Sequence, residues 1–111
     1  MAKLEKELEG NFEEILQKIE DGILKGNISA SLEDSSDFID RKVRCSVRVF
    51  ERYSAIGKNR VSLNITLFQD NNKKIHLSAI TSGGSQAMLF KINTLGEKAF
   101  LDKLKDILQT H

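Results

Sequence analysis

The sequence predicts an α+β domain in which an antiparallel sheet lies between two helices along the chain. Three observations predict this class: apolar residues recur every three or four positions near both ends, they alternate with polar residues in the middle, and short segments join the alternating runs. Strands grouped between helices are typical of a sheet with helices on its apolar face. We therefore expect a helix, a four- to five-stranded meander and a second helix, with both helices on one face. At 111 residues the chain has the usual size of one domain, so 1–111 is expected to be a single α+β domain.

The first predicted helix depends on apolar spacing and on capping signals. Asn11 and Glu14 have the spacing of a capping box, and Gly26 suits a left-handed C-terminal cap. These signals predict a helix over about residues 12–25. Its apolar face would be formed by Phe12, Ile15, Leu16, Ile19, Ile23 and Leu24.

The N-terminal stretch MAKLEKELEGNFEE is charged throughout and lacks an apolar run as long as a signal peptide or a membrane helix requires. Within it, Leu4 and Leu8 are spaced for one or two early helical turns, which Gly10 interrupts. The single cysteine, Cys45, fits a reducing compartment. We therefore expect a cytoplasmic protein with no membrane partner.

Alternating apolar and polar residues predict the strands. The runs are 28–32, 43–50, 61–68 and 75–80. The connections 55–59 and 70–73 are too short for a parallel crossover, so they predict antiparallel pairing. In the second run, the row expected to face the core is Val43, Cys45, Val47 and Val49. The row expected to face solvent is Arg44, Ser46, Arg48 and Phe50.

The C-terminal part of the chain contains a fifth apolar run and a second helix pattern. Residues 87–92 are apolar on both sides, so periodicity does not place them. Thr94 and Glu97 have capping-box spacing ahead of the predicted helix. The apolar stripe of that helix is Phe100, Leu101, Leu104, Ile107 and Leu108.

The overall charge excludes bulk electrostatic attraction to a partner. Lysine and arginine total 17 against 16 acidic residues, a formal charge of +1. No overall field would steer the molecule onto nucleic acid or anionic lipid, so any basic surface must be local. The local exception is 41–60, which has seven basic residues and one acidic residue.

No pattern in the sequence predicts a catalytic residue, a metal ligand or a cofactor. The acidic stretch EDSSDFID, residues 33–40, lacks the ligand spacing of a calcium loop and is interpreted as a solvated loop or strand edge. Cys45, in the predicted inward row, is interpreted as a core residue. His76 and His111 have no companion at metal-ligand spacing, and no serine lies in a nucleophile elbow. We therefore expect a protein that is not an enzyme.

The outward side of the meander is the first predicted binding surface. Arg44, Arg48 and Phe50 on one strand, with Asn64 and Phe68 on the next, would combine guanidinium groups with exposed aromatic rings. Such a surface suits single-stranded nucleic acid through phosphate contacts and base stacking, although the string typical of an RNA-recognition fold is missing. It also suits contact with another protein or a second copy of the chain, with aromatic anchors and an arginine rim.

The paired glycines form the second predicted site, at Ser82, Gly83, Gly84, Ser85 and Gln86. Their backbone amides could surround an anion, but the strings of a phosphate-binding loop are absent. A turn or bulge between two strands is the preferred interpretation, because glycine adopts positive φ readily. The polar side chains exceed what a turn needs, so small-ligand or anion binding stays open.

The segment SGGSQAMLFKINTLGEKAFL, residues 82–101, resembles the C-terminal signature of a family of small proteins from Firmicutes-type bacteria, a domain of unknown function. The resemblance extends over most of the chain. It implies a bacterial, cytoplasmic origin and supplies no activity, substrate or catalytic residue.

These observations together predict a non-enzymatic interaction or binding module that self-associates or binds a protein through its open sheet face. Single-stranded nucleic-acid binding through the arginine and phenylalanine residues is the alternative. Ligand or anion binding at residues 82–86 is the third possibility.

Overall fold

The computed structural model describes residues 1–26, 30–54, 59–83 and 101–109. Their secondary structure is α+β, as predicted, with an antiparallel sheet of five strands. The elements are β1 (Ala2–Leu8), α1 (Phe12–Gly26), β2 (Ala30–Asp40), β3 (Val43–Ser54), β4 (Asn59–Gln69) and β5 (Ile75–Gly83). Residues 101–109 are helical and are called α2. The strand order is β1-β5-β4-β3-β2, so β2 to β5 form the predicted meander and β1 adds to it beside β5.

The chain begins with a strand, and the predicted early helical turns are wrong. In β1, Leu4 pairs with Ala79 and Leu8 pairs with Ile75 of β5. Two leucines four residues apart share one face of a strand as well as one face of a helix, so their spacing does not separate the two structures. Residues 2–8 form a strand and not a helix because pairing with β5 satisfies the backbone hydrogen-bonding groups at the edge of that strand. The Thr81 hydroxyl adds bonds to the Ala2 amide and carbonyl, at 3.1 and 3.2 Å.

Helix α1 confirms the predicted first helix and its cap. The Glu14 amide donates to the Asn11 side-chain oxygen at 3.0 Å, and the helix ends at Gly26. Its apolar stripe is buried apart from Leu24. These side chains join one hydrophobic cluster with β4, β5 and α2. The two helices touch at Gly22, where an added Cβ would lie 2.6 Å from the Ile107 side chain.

The orientation of β3 is opposite to the predicted one. Arg48 pairs with Ile65 and Phe50 pairs with Leu63, and paired residues of an antiparallel ladder point to the same face. Ile65, Leu63 and Phe50 are fully buried. We call this the core face. The outer face carries the other row of β3, which includes Val43, Cys45, Val47 and Val49, all half-buried.

The acidic stretch 33–40 lies in β2, which is an edge strand of the sheet, in agreement with one of its two predicted interpretations. The fifth apolar run at 87–92, the cap at Thr94 and Glu97, and most of the connection 55–59 lie outside the described residues.

Candidate functional site

The outer face is the candidate functional site because it presents large apolar side chains in a contiguous arrangement. Phe38 of β2 is 65% exposed, Phe68 of β4 is 37% exposed and Ile80 of β5 is similarly exposed. The half-buried valines of β3 lie between them. An exposed apolar area of this kind on a small domain is typical of an interaction surface.

The sheet register fixes which outer-face residues are neighbours. Phe38, Cys45, Phe68 and His76 lie side by side across β2, β3, β4 and β5. The Phe68 and His76 rings are 5.9 Å apart. Four residues further along the strands, a second row across β3, β4 and β5 is formed by Val49, Asn64 and Ile80. Apolar and uncharged polar groups therefore occupy the centre of the face.

Charged residues of the outer face lie mainly on the edge strands. At the register positions that the structure describes, the carboxylates are Glu5, Glu7, Asp34, Asp40 and Glu51, and the cations are Lys3 and Arg60. Lys3 lies 3.1 Å from Glu5, and Arg60 lies 3.3 Å from Glu51. At these register positions carboxylates outnumber cations, and Lys3 and Arg60 both lie toward the same end of the strands.

The predicted site residue Arg48 lies on the core face. Its side chain is 9% exposed and bonds to Glu20 of α1 at 2.6 Å and to Asp37 of β2 at 3.0 Å. Burial alone would lower the pKa of Arg48, but hydrogen bonds to Glu20 and Asp37 outweigh it, and the pKa is raised. In Asp37, hydrogen bonds from Ser46 and then from Arg48 lower the pKa of the carboxyl group. This arginine joins α1 to the sheet.

Arg44 also points toward α1. Its guanidinium forms an ion pair with Glu13 and lies 4.7 Å from the centre of the Phe12 ring. Phe50, predicted to be exposed, is fully buried in the core. The predicted surface that would combine these three residues with Asn64 and Phe68 is therefore not formed, because the two groups lie on opposite faces.

The second predicted site is described only in part. Gly83 belongs to β5 and pairs with Val61, so the chain is still extended at the first glycine. The Ser82 hydroxyl lies on the outer face, 2.6 Å from the Ser62 hydroxyl. Gly84, Ser85 and Gln86 lie outside the described residues.

The other polar residues considered in the sequence have local roles. Within the described ranges, no three His, Cys, Asp or Glu side chains are grouped as a metal site would require. His76 lies 3.2 Å from Asp70, and this hydrogen bond is the main cause of a lowered pKa of Asp70. Cys45 is half-buried on the outer face, so its predicted place in the core is wrong.

Sequence reasoning missed Phe38, the most exposed aromatic residue of the face. It stands in an acidic stretch without alternation, so no strand period revealed its direction. Two adjacent large apolar residues, Phe38 and Ile39, in a stretch of carboxylates and serines were the available signal.

A comparison with protein-family models gives a match over the whole chain. The model of the family described as "Family of unknown function (DUF6054)" covers residues 1–111. The chain belongs to this family. No curated protein matches it.

Membership of DUF6054 agrees with the predicted resemblance to a domain of unknown function and leaves the activity open. In the part of this DUF6054 member that the structure describes, no helix is long and apolar enough to cross a membrane.

Proposed function

We propose that the protein is a non-enzymatic interaction module that self-associates through its outer face. The observation that carries the proposal is the exposure of Phe38, Phe68 and Ile80 on the sheet face opposite the ion pairs with α1. Exposed aromatic and aliphatic anchors inside a polar rim are the usual composition of a protein interface. In this proposal α1 and α2 cover the core face, and the second copy covers the outer face.

The size of the face suits a second copy of the chain. Five strands spaced about 4.8 Å apart, taken over the seven residues of β1 along which all five run side by side, give a face of roughly 600 Å². Two such faces bury roughly 1,200 Å² together, which reaches the lower end of stable interfaces. Stacked sheets of this kind pack about 10 Å apart with strands nearly aligned.

The distribution of charge favours the same partner. Lys3 and Arg60 lie toward one end of the strands, while Glu7 and Asp40 lie toward the other. A twofold axis across the strands reverses the strand direction in the second copy. Lys3 and Arg60 of each copy then lie toward Glu7 and Asp40 of the other.

The two edges of the sheet are poor alternatives for self-association. β1 carries two lysines and two glutamates, and β2 carries carboxylates and a register shift between Leu32 and Asp34. Charged side chains and bulges on edge strands oppose strand-to-strand pairing. Face-to-face packing is therefore the mode that we propose.

Nucleic-acid binding through the arginine and phenylalanine residues is not supported by their positions. Arg44 and Arg48 are paired with Glu13 and Glu20, and the outer face is bordered by carboxylates that repel phosphate. The proposal keeps the bacterial, cytoplasmic setting expected from the sequence, for which the free thiol of Cys45 is the support.

Two adjacent residues of β2 provide a matched test. Phe38 and Ile39 are 65% and 68% exposed, but they point to opposite faces because Phe38 pairs with Cys45 and Ile39 pairs with Arg44. Sedimentation equilibrium should show a dimer for the wild type at high micromolar concentration. Phe38→Ser should weaken dimerisation about tenfold or more, since it removes an interface anchor.

Ile39→Ser is the control and should leave the dimerisation constant unchanged. A wild-type protein that stays monomeric at high micromolar concentration would refute self-association. Equal weakening by both substitutions would place the contact at the edge of β2 and would contradict the face-to-face mode.

A further inference from the structure

A cationic cleft lies at the end of the sheet where the segment before α1 meets two hairpin turns. Its volume is about 500 Å³. Arg41 and Lys42 come from the turn between β2 and β3, and Lys73 comes from the turn between β4 and β5. Arg44 and Phe12 form part of its wall. The cleft is separate from the central apolar rows of the outer face.

The lining of the cleft is positively charged and contains no carboxylate. Arg41, Lys42 and Lys73 form no ion pair within the described part of the chain. Arg44 is held by Glu13 and the Phe12 ring, and its Nε atom is buried without a hydrogen-bond partner. Unpaired cations that converge on one cleft attract an anion.

The turn that carries Lys73 contains one carboxylate, that of Asp70. Asp70 accepts hydrogen bonds from the Asn72 and Lys74 amides at 2.8 and 3.0 Å and contacts His76 at 3.2 Å. Asp70 therefore stabilises the turn, and it forms no ion pair with Lys73 in the described residues. The start of α1 adds partial positive charge from its first-turn amides.

Two of these cations stand where a smaller residue would fit the backbone better. Arg41 has φ 58° and Lys73 has φ 65°, and they are the non-glycine residues with positive φ in the described ranges. Asparagine and glycine adopt this region more readily than long basic side chains do. Both positions line the same cleft. The charge is thus placed there despite an unfavourable backbone conformation.

We propose that this cleft binds a small phosphorylated ligand with at least two phosphate groups. Two phosphate groups carry about three negative charges at neutral pH, which matches the three unpaired cations. Arginine binds phosphate oxygens in a bidentate manner, and lysine contributes a point charge. A volume of about 500 Å³ exceeds that of a diphosphate and leaves room for an attached organic group.

Inorganic pyrophosphate is the probe for this site. Isothermal titration calorimetry should give saturable binding, and amide NMR shifts should be confined to the segments at residues 10–12, 41–44 and 73. The double variant Arg41→Asn with Lys73→Asn should bind pyrophosphate at least about tenfold more weakly, because two charge-assisted contacts are lost. Its melting temperature should be equal to or above that of the wild type, since asparagine relieves the positive-φ strain.

Lys25→Asn with Lys105→Asn is the charge-matched control and should bind pyrophosphate as the wild type does. Both residues lie outside the lining of the cleft. The absence of saturable binding would overturn the proposal, as would equal weakening by the two double variants. Citrate binding as tight as that of pyrophosphate would overturn the phosphate class. Tighter binding of single-stranded oligonucleotides at the same residues would overturn the small-molecule class.

Discussion

The two side-chain rows of β3 differ in what surrounds them. On the core face, Arg48 and Phe50 are enclosed by α1 and by leucines and isoleucines of β4. On the outer face, Val47 and Val49 are half-buried beside polar residues of β4. A buried guanidinium is tolerated because Glu20 and Asp37 pair with it, whereas half-exposed valine side chains need no partner. Polarity alone therefore does not tell which row of a strand faces the core.

The largest expected difference between the two faces is the loss of unfolding free energy when a phenylalanine is replaced by alanine. Phe50→Ala should lower the free energy of unfolding by about 3 to 5 kcal/mol, since it opens a cavity at a fully buried position. Phe68→Ala, on the outer face, should cost less than about 1 kcal/mol in the monomer because the ring is already partly in water. Urea denaturation at low protein concentration measures both. Equal losses would contradict the assignment of the faces.

The next largest expected effect is the difference in stability loss between alanine substitutions of Arg48 and of its neighbour Val47. Arg48→Ala should destabilise the fold by about 2 to 3 kcal/mol, because Glu20 is left mostly buried without its partner. Val47→Ala should cost about 1 kcal/mol or less. Replacing both members of the pair, Arg48→Met with Glu20→Gln, should recover most of the loss. An Arg48→Ala loss no larger than that of Val47→Ala would show that the ion pair has little structural role.

A smaller effect tests how tightly the core face is covered. Gly22→Ala should destabilise by about 1 kcal/mol, because the clash with Ile107 at 2.6 Å outweighs the better helix propensity of alanine. Gly22→Ala with Ile107→Ala, which removes all three clashing carbons, should be less destabilising than the sum of the two single variants. Thermal melts measure this, and a stabilised single variant would contradict the contact between the helices.

The smallest effect is a pH dependence at Asp37. Hydrogen bonds from Ser46 and Arg48 lower the pKa of this carboxyl group below its usual value of 3.8 in the folded state. The contribution to stability is therefore present above that value and is lost as the pH falls through the folded pKa. Since the side chain is more than half exposed, the effect should stay below about 1 kcal/mol. Asp37→Asn should lose less stability than the wild type between about pH 5 and pH 3 in urea titrations, and an identical loss would exclude Asp37 as a cause.

Local sequence patterns predict much of the fold, but they do not predict which side-chain row of β3 faces the core. Helix α1 carried its own cap at Asn11, and the meander followed from alternation with short connections. β1 is a strand because it pairs with the edge of β5. The arginines of β3 can face the core because Glu13 and Glu20 of α1 pair with them. Both are tertiary contacts that no local spacing encodes.

The outward row of β4 was predictable from the sequence, and the outward row of β3 was not. Phe68 and Asn64 were correctly placed on the exposed face of β4, since their strand alternates with large buried leucines and isoleucines. The sequence reasoning assigned the wrong face to Arg44, Arg48 and Phe50. It expected the apolar valines of β3 to face the core and the charged arginines to face solvent. Because Arg44 and Arg48 face the core, the outer face carries more carboxylates than cations, whereas the sequence predicted a basic surface.

Cys45 provides the most direct test of the proposal that a second copy covers the outer face. Its thiol lies between Phe38 and Phe68 and is the single cysteine of the chain, so a thiol-specific reagent reports on this face alone. The labelling rate should fall several-fold as the protein concentration rises from low to high micromolar, and Phe38→Ser should abolish that protection. A labelling rate of the wild type that is independent of protein concentration would contradict the proposed dimer.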